Sequence, residues 1–168
     1  MQGTRCMGIF ITLLTLISSC RLINNDKRLT LVESDIIVSQ SGTQQTTYHP
    51  KSGKKVVTFY ITGNFINELK YTPMGKIDRI IQSYPKWDFV FYVEGTLEDT
   101  TIIRKALSKY NCRFPVVLDY NHSFRDKNSL GKLTSIGFIC NEKNQVLSLA
   151  LIGTDRSFFD QEFRKYNR

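Results

Sequence analysis

An α/β fold built on a mixed sheet is predicted by three observations: β-branched and aromatic runs alternate with helical-period segments, two late runs are joined by an Asn/Lys turn, and an aromatic-rich helical stretch follows. The first run, 55–61 (KVVTFYI), is apolar nearly throughout, as a strand buried on both faces reads. The breaker Thr62, Gly63, Asn64 leads into 65–84, where Ile66, Leu69, Ile77, Ile80, Ile81 and Tyr84 fall mostly at helical spacing. Pro73 removes one backbone hydrogen bond there and should kink or split the helix near 71–75. Residues 87–93 (WDFVFYV) read as the second strand. A second helix over 98–110 places Ile102, Ile103, Ala106, Leu107 and Tyr110 on one face, with Asp99 as a cap candidate. The third strand lies in 114–119 (FPVVLD), followed by a polar loop at 120–129. Residues 136–140 and 146–152 make an antiparallel hairpin, and 154–166, with Phe158, Phe159, Phe163 and Tyr166, closes the sheet as a helix. Upstream, 29–38 alternates enough for a short peripheral strand pair or a docked extended arm, while 40–47 reads as a Ser/Thr/Gln-rich loop. The expected product is a central mixed sheet of about four to five strands flanked by helices.

The chain has 168 residues, 41% of them hydrophobic, and a formal net charge of +8, which suits one globular domain plus a short extra segment. Ten Gly and four Pro exclude a collagen-like or Pro-rich chain, and eleven Phe with eight Tyr supply too much core material for a disordered one. Four cysteines cannot staple a chain this long as a disulfide scaffold, and two histidines give no zinc pattern. No cofactor or metal is expected.

Residues 1–19 read as a signal peptide: Arg5 precedes an apolar run from Met7 to Ile17, then Ser18, Ser19 and Cys20. The run is shorter than the roughly twenty residues that span a bilayer. Ile17, Ser18, Ser19, Cys20 resembles the bacterial lipobox, which implies lipidation of Cys20 and a membrane anchor through it; a cleaved signal with an incidental cysteine is the alternative. No Asp follows Cys20 directly, so the periplasmic face of the outer membrane of a Gram-negative bacterium is the expected location. Removing Arg5 leaves 22 basic against 15 acidic residues, or +7. Such a surface could meet anionic lipid head groups or polyanions, with plain solvation as the simpler reading, and nucleic acid is not an expected partner. The expected organisation is 1–19 signal, 20–53 tether with peripheral strands, and 54–168 the compact domain.

From residue 54 onward the chain resembles the thioredoxin-like proteins, specifically the TlpA and peroxiredoxin-related type. FPVVLDYNHSF (114–124) looks like their third-strand segment, IGFICNEKNQVLSLALIG (136–153) is similar to their hairpin, and KVVTFYITGNFINELK (55–70) looks like the strand leading into their active-site helix. The resemblance implies a Cys-x-x-Cys at that helix start, where amide groups and the helix dipole lower the first thiol's pKa. Here the four positions are Thr62, Gly63, Asn64 and Phe65, so both cysteines are missing. The family's cis-proline falls near Ser135 and is missing too, and a trans bond is expected there. The resemblance and its missing thiols together imply an envelope protein without enzyme activity, a binding or accessory module that holds a protein partner or extended peptide in the groove near Thr62 to Phe65 and Ser135. A one-thiol oxidoreductase or redox sensor using Cys112, beside Arg113, is the alternative. Cys140 reads as a buried small hydrophobe, and a Cys112 to Cys140 disulfide would have to join a loop to a mid-strand position. His122 and His49 read as solvated loop histidines.

Overall fold

A computed structural model describes residues 27–49, 53–62, 81–109, 111–112, 114–130, 135–151, 161 and 164–166. Its framework is seven strands: β1 (Ser34–Ser39), β2 (Gly42–Tyr48), β3 (Val56–Ile61), β4 (Asp88–Glu94), β5 (Val116–Asp119), β6 (Ile136–Cys140) and β7 (Val146–Leu151). They form one sheet in the order β2-β1-β5-β4-β3-β6-β7. Strands β3, β4 and β5 run parallel, while β1 and β6 join antiparallel on either side. All six residues of β3 are buried, as the unbroken apolar run requires of a strand covered on both faces.

The sheet is wider than the four to five strands expected. Residues 40–47 are not a loop: Gln40 and Ser41 turn the chain, and β2 pairs back on β1 through Ile37↔Gln44 and Val38↔Thr43. Ile37↔Val117 and Val38↔Val116 then attach β1 to β5, so the sheet continues into the polar upstream segment. The composition of β2 misleads because it is an edge strand, where Thr and Gln are tolerated.

Alternation along the strands sorts the core into two faces. Val57, Phe59, Phe91, Val93, Val116 and Ile139 belong to one, and Ile103, Ala106 and Leu107 of helix α1 (Thr100–Lys109) cover it. Phe59 stacks on Phe91 at 4.5 Å, and Phe91 on Phe114 at 4.0 Å. Ile102, expected on that packed face, is 47% exposed. The helix is entered through a short 3-10 turn, Leu97–Asp99, whose N-cap is Thr96 rather than the expected Asp99; the Asp99 carboxylate, three residues on, accepts from the Thr96 N–H (2.7 Å) and hydroxyl (2.9 Å) as the partner in a capping box.

The other face carries Val56, Tyr60, Val90, Tyr92, Val117, Phe138 and Cys140. It is covered by α2 (Ser123–Asn128) and by Leu29 and Val32 of an extended arm. Helix α2 lies inside the stretch expected to be a loop. Asp119 Oδ1 accepts the N–H of Phe124 (3.1 Å) and Oδ2 that of Arg125 (3.4 Å), which satisfies two orphan donors of the first turn. Phe124 is fully buried, 4.2 Å from the Tyr92 ring, and Ser129 ends the helix in the left-handed region at φ 53. Six residues with one large apolar anchor are too few to show a period.

Of the first long helix, 81–83 are helical, and its Pro73 kink lies outside the described residues. Of the last, 161 and 164–166 are helical. Residues 1–19, expected to be a signal peptide, and Cys20 also lie outside them.

Candidate functional site

Because β3, β4 and β5 are parallel, their C-terminal ends lie along one edge of the sheet, and β6 begins there. The registers Ile61↔Val93, Glu94↔Asp119 and Tyr60↔Ile136 fix that edge. In open α/β sheets this is where loops assemble ligand sites. Thr62 follows β3 at this edge and is half-buried. Continuing the antiparallel register by one residue places Ser135 opposite Ile61, adjacent to Thr62 along the chain direction. The fold therefore brings together Thr62, the first position of the Thr-Gly-Asn-Phe stretch, and Ser135, where the resemblance implies a proline. Ser135 is 3% exposed, and its hydroxyl makes no hydrogen bond. Gly63, Asn64 and Phe65 lie outside the described residues. Among the described residues every peptide bond is trans.

A polar network that the sequence did not signal occupies the same edge. The Tyr60 hydroxyl donates to Glu94 Oε2 at 2.9 Å, and Arg125 Nη1 donates to Glu94 Oε1 at 2.8 Å. His122 Nδ1 lies 2.9 Å from the same oxygen, an electrostatic contact out of line for a hydrogen bond. His122 is held in the left-handed region (φ 58) at the start of α2, and its side chain is 42% exposed, so it is paired as well as solvated. Burial, the Glu94 hydrogen bond and nearby carboxylates all push the Tyr60 phenol above its ordinary range, so it stays a donor. Burial also raises the Asp119 carboxyl, against the two amides that it accepts. These partners come from β3, β4 and α2, 31 to 34 residues apart in the two hydrogen bonds to Glu94. Only a strand-end Glu and the unusual Asn-His turn after Asp119 were visible in the sequence.

The cysteines sit elsewhere. Cys112 precedes β5, toward the N-terminal end of the parallel strands, and is 1% exposed. Its N–H donates to Leu107 O at 2.8 Å, and its carbonyl accepts from Gln40 Nε2. Cys140 ends β6 at that same end of the sheet but on the other face, and burial pushes its thiol up to about 12. Both are free thiols, in core clusters separated by the sheet, so no disulfide joins them. His49 Nδ1 lies 3.0 Å from Glu33 Oε1 in an exposed pair. Among the described residues no group of His, Cys, Asp and Glu could hold a metal ion.

No protein-family model matches the chain, and no curated protein matches it in sequence. Solved structures do match in shape. A secreted disulfide oxidoreductase of Mycobacterium tuberculosis homologous to E. coli DsbE superposes with TM-score 0.59 at 14% identity, covering 83% of this chain and 98% of its own. A thiol-disulfide oxidoreductase from Bacteroides fragilis gives 0.56 at 9% identity over 83% and 98%. Mycobacterium bovis AhpC gives 0.61 at 11% identity over 84% and 96%. The chain has the thioredoxin-like α/β fold that the element order predicts, and identities this low speak for the fold alone.

Proposed function

We propose that this chain is an exported, lipid-anchored protein of the bacterial envelope whose thioredoxin-like domain is a binding module without dithiol exchange. One observation carries the second half of this reading. Once the signal is removed and Cys20 is acylated, the remaining cysteines are Cys112 and Cys140, and both are buried at the opposite end of the sheet from Thr62. A thiolate nucleophile needs access and an electropositive setting, and neither thiol has access. The one-thiol reading for Cys112 is weakened by the same burial.

The groove between Thr62 and Ser135 holds an extended segment of a protein partner. The register that sets Ser135 beside Thr62, at the loop-bearing end of the parallel strands, supports this. The anchor reading rests on the lipobox-like Ile17 to Cys20, and it agrees in location with a secreted protein of the same fold. The test is turnover of a disulfide substrate by the purified mature protein beside an ordinary thioredoxin. Exchange at background level is expected; exchange at a thioredoxin-like rate overturns the reading.

A further inference from the structure

The two ends of the parallel strands differ in charge. Among the described residues at the C-terminal end, the acidic groups Glu94, Glu98, Asp99, Asp119 and Asp126 stand against Arg125, Lys127 and His122. The N-terminal end is basic. Lys54 and Lys55 precede β3, Lys86 precedes β4, and Lys143 sits in the β6–β7 turn, beside the start of β3 by the pairing Val56↔Cys140. The chain also enters the fold here. Arg28 bridges Gln145, the Val146 N–H donates to Lys27 O at 3.0 Å, and Lys27 Nζ reaches Asn128 O at 3.1 Å. Lys54, Lys86, Arg28 and Lys143 are exposed; Lys55 Nζ lies 5.3 Å above the Trp87 ring and bonds to Tyr166 O. Asp88 and Glu142 are the acidic residues beside these six cations among the described residues.

We infer that this basic end rests on anionic phospholipid head groups, so that the domain stands on the membrane with the Thr62/Ser135 edge turned away from it. The inference rests on the anchor reading for Cys20. Residues 21–26 separate Cys20 from Lys27, and seven Cα steps span at most about 25 Å, so a lipidated Cys20 keeps the entry point near the head groups. A tether of that length lets the basic end come down to the surface, and each cation that comes within a Debye length of an anionic leaflet is worth about fivefold in apparent binding. The six-residue β3 rises roughly 20 Å, which lifts the opposite edge clear of the surface and leaves it open to a partner.

The test uses the lipidated mature protein in vesicles, labelled with a fluorophore at Lys143→Cys or, separately, at Glu98→Cys; the buried Cys112 and Cys140 do not compete for label. Head-group nitroxide lipids report proximity. In vesicles containing phosphatidylglycerol, the label at 143 should be quenched several-fold more than that at 98. In pure phosphatidylcholine or at high salt the preference should shrink. The double variant Arg28→Glu, Lys54→Glu should abolish it. Equal quenching at the two positions, or a preference that survives the double variant, overturns the inference. Mass analysis of Cys20 separates the two readings: an acylated Cys20 with no preference defeats the docking alone, whereas an unmodified Cys20 with the preference intact defeats the anchor and leaves the docking standing.

Discussion

The two faces of the sheet are covered by different means. One is packed by α1 through Ile103, Ala106 and Leu107 over a stack of Phe59, Phe91 and Phe114. The other is roofed partly by six-residue α2 and partly by an arm that is not a helix, and it is polar groups that hold that arm down. Tyr92 Oη donates to Val32 O (2.7 Å) and accepts from its N–H (3.1 Å). The Asn128 amide brackets Thr30, accepting its N–H at 2.7 Å and donating to its carbonyl at 2.9 Å. An arm has no internal hydrogen bonds, so beyond its backbone bonds to the β6–β7 hairpin at Lys27 and Leu29, side chains must supply what a helix supplies to itself. The helix-covered face should therefore fail globally and the arm-covered face locally.

The largest expected effect comes from Phe91→Ala. It removes a ring that is 1% exposed and stacked on both sides, and should cost about 3–5 kcal/mol, seen as a cooperative drop in the denaturation midpoint. Tyr92→Phe should cost less, about 2 kcal/mol, by stranding both polar groups of the 3%-exposed Val32. Its signature is local: amide exchange at Val32 accelerates more than exchange in β3. Acceleration by the same factor in both would erase the distinction between the faces. Asn128→Ala is smaller again, about 1 kcal/mol, because Thr30 is exposed and water replaces the lost amide.

The same contrast explains what the sequence disclosed. Strand β3 was legible because every residue from Val56 to Ile61 is buried, so burial and composition coincide. Along α1 the helical period places Ile103, Ala106 and Leu107 on the packed face as expected, and among the described residues Ile102 is the one misplaced. Strand β2 and α2 were not legible. One is polar because it is an edge, and the other is shorter than two helical turns and held by an Asp119 that precedes it. The arm's contacts join residues 60 and 98 apart, a distance over which no local pattern reports. At the candidate site, Thr62 and Ser135 were found only through the family's motif positions, which the strand register then sets side by side. Glu94, Tyr60 and Arg125 carried no motif, since Tyr60 reads as core and a Glu at a strand end reads as solvated.

The smallest effect is a change of slope rather than of level, and it bears on how α2 is held over the arm-covered face. Asp119 is buried, and burial raises its carboxyl above the ordinary 3.8 despite the amides of Phe124 and Arg125. The folded state then binds this proton more tightly than the unfolded chain does, so the stabilisation it brings is present below about 3.8 and lost as pH rises through the raised folded value. In Asp119→Asn the amide oxygen still accepts one N–H and nothing titrates. Denaturant midpoints measured from pH 3.5 to 7 should show the wild type falling relative to the variant across that window. A wild type that gains on the variant instead would mean that the two amide hydrogen bonds outweigh burial. The start of α2 would then be held by charge, and the arm-covered face would owe its second layer to electrostatics as well as to Phe124.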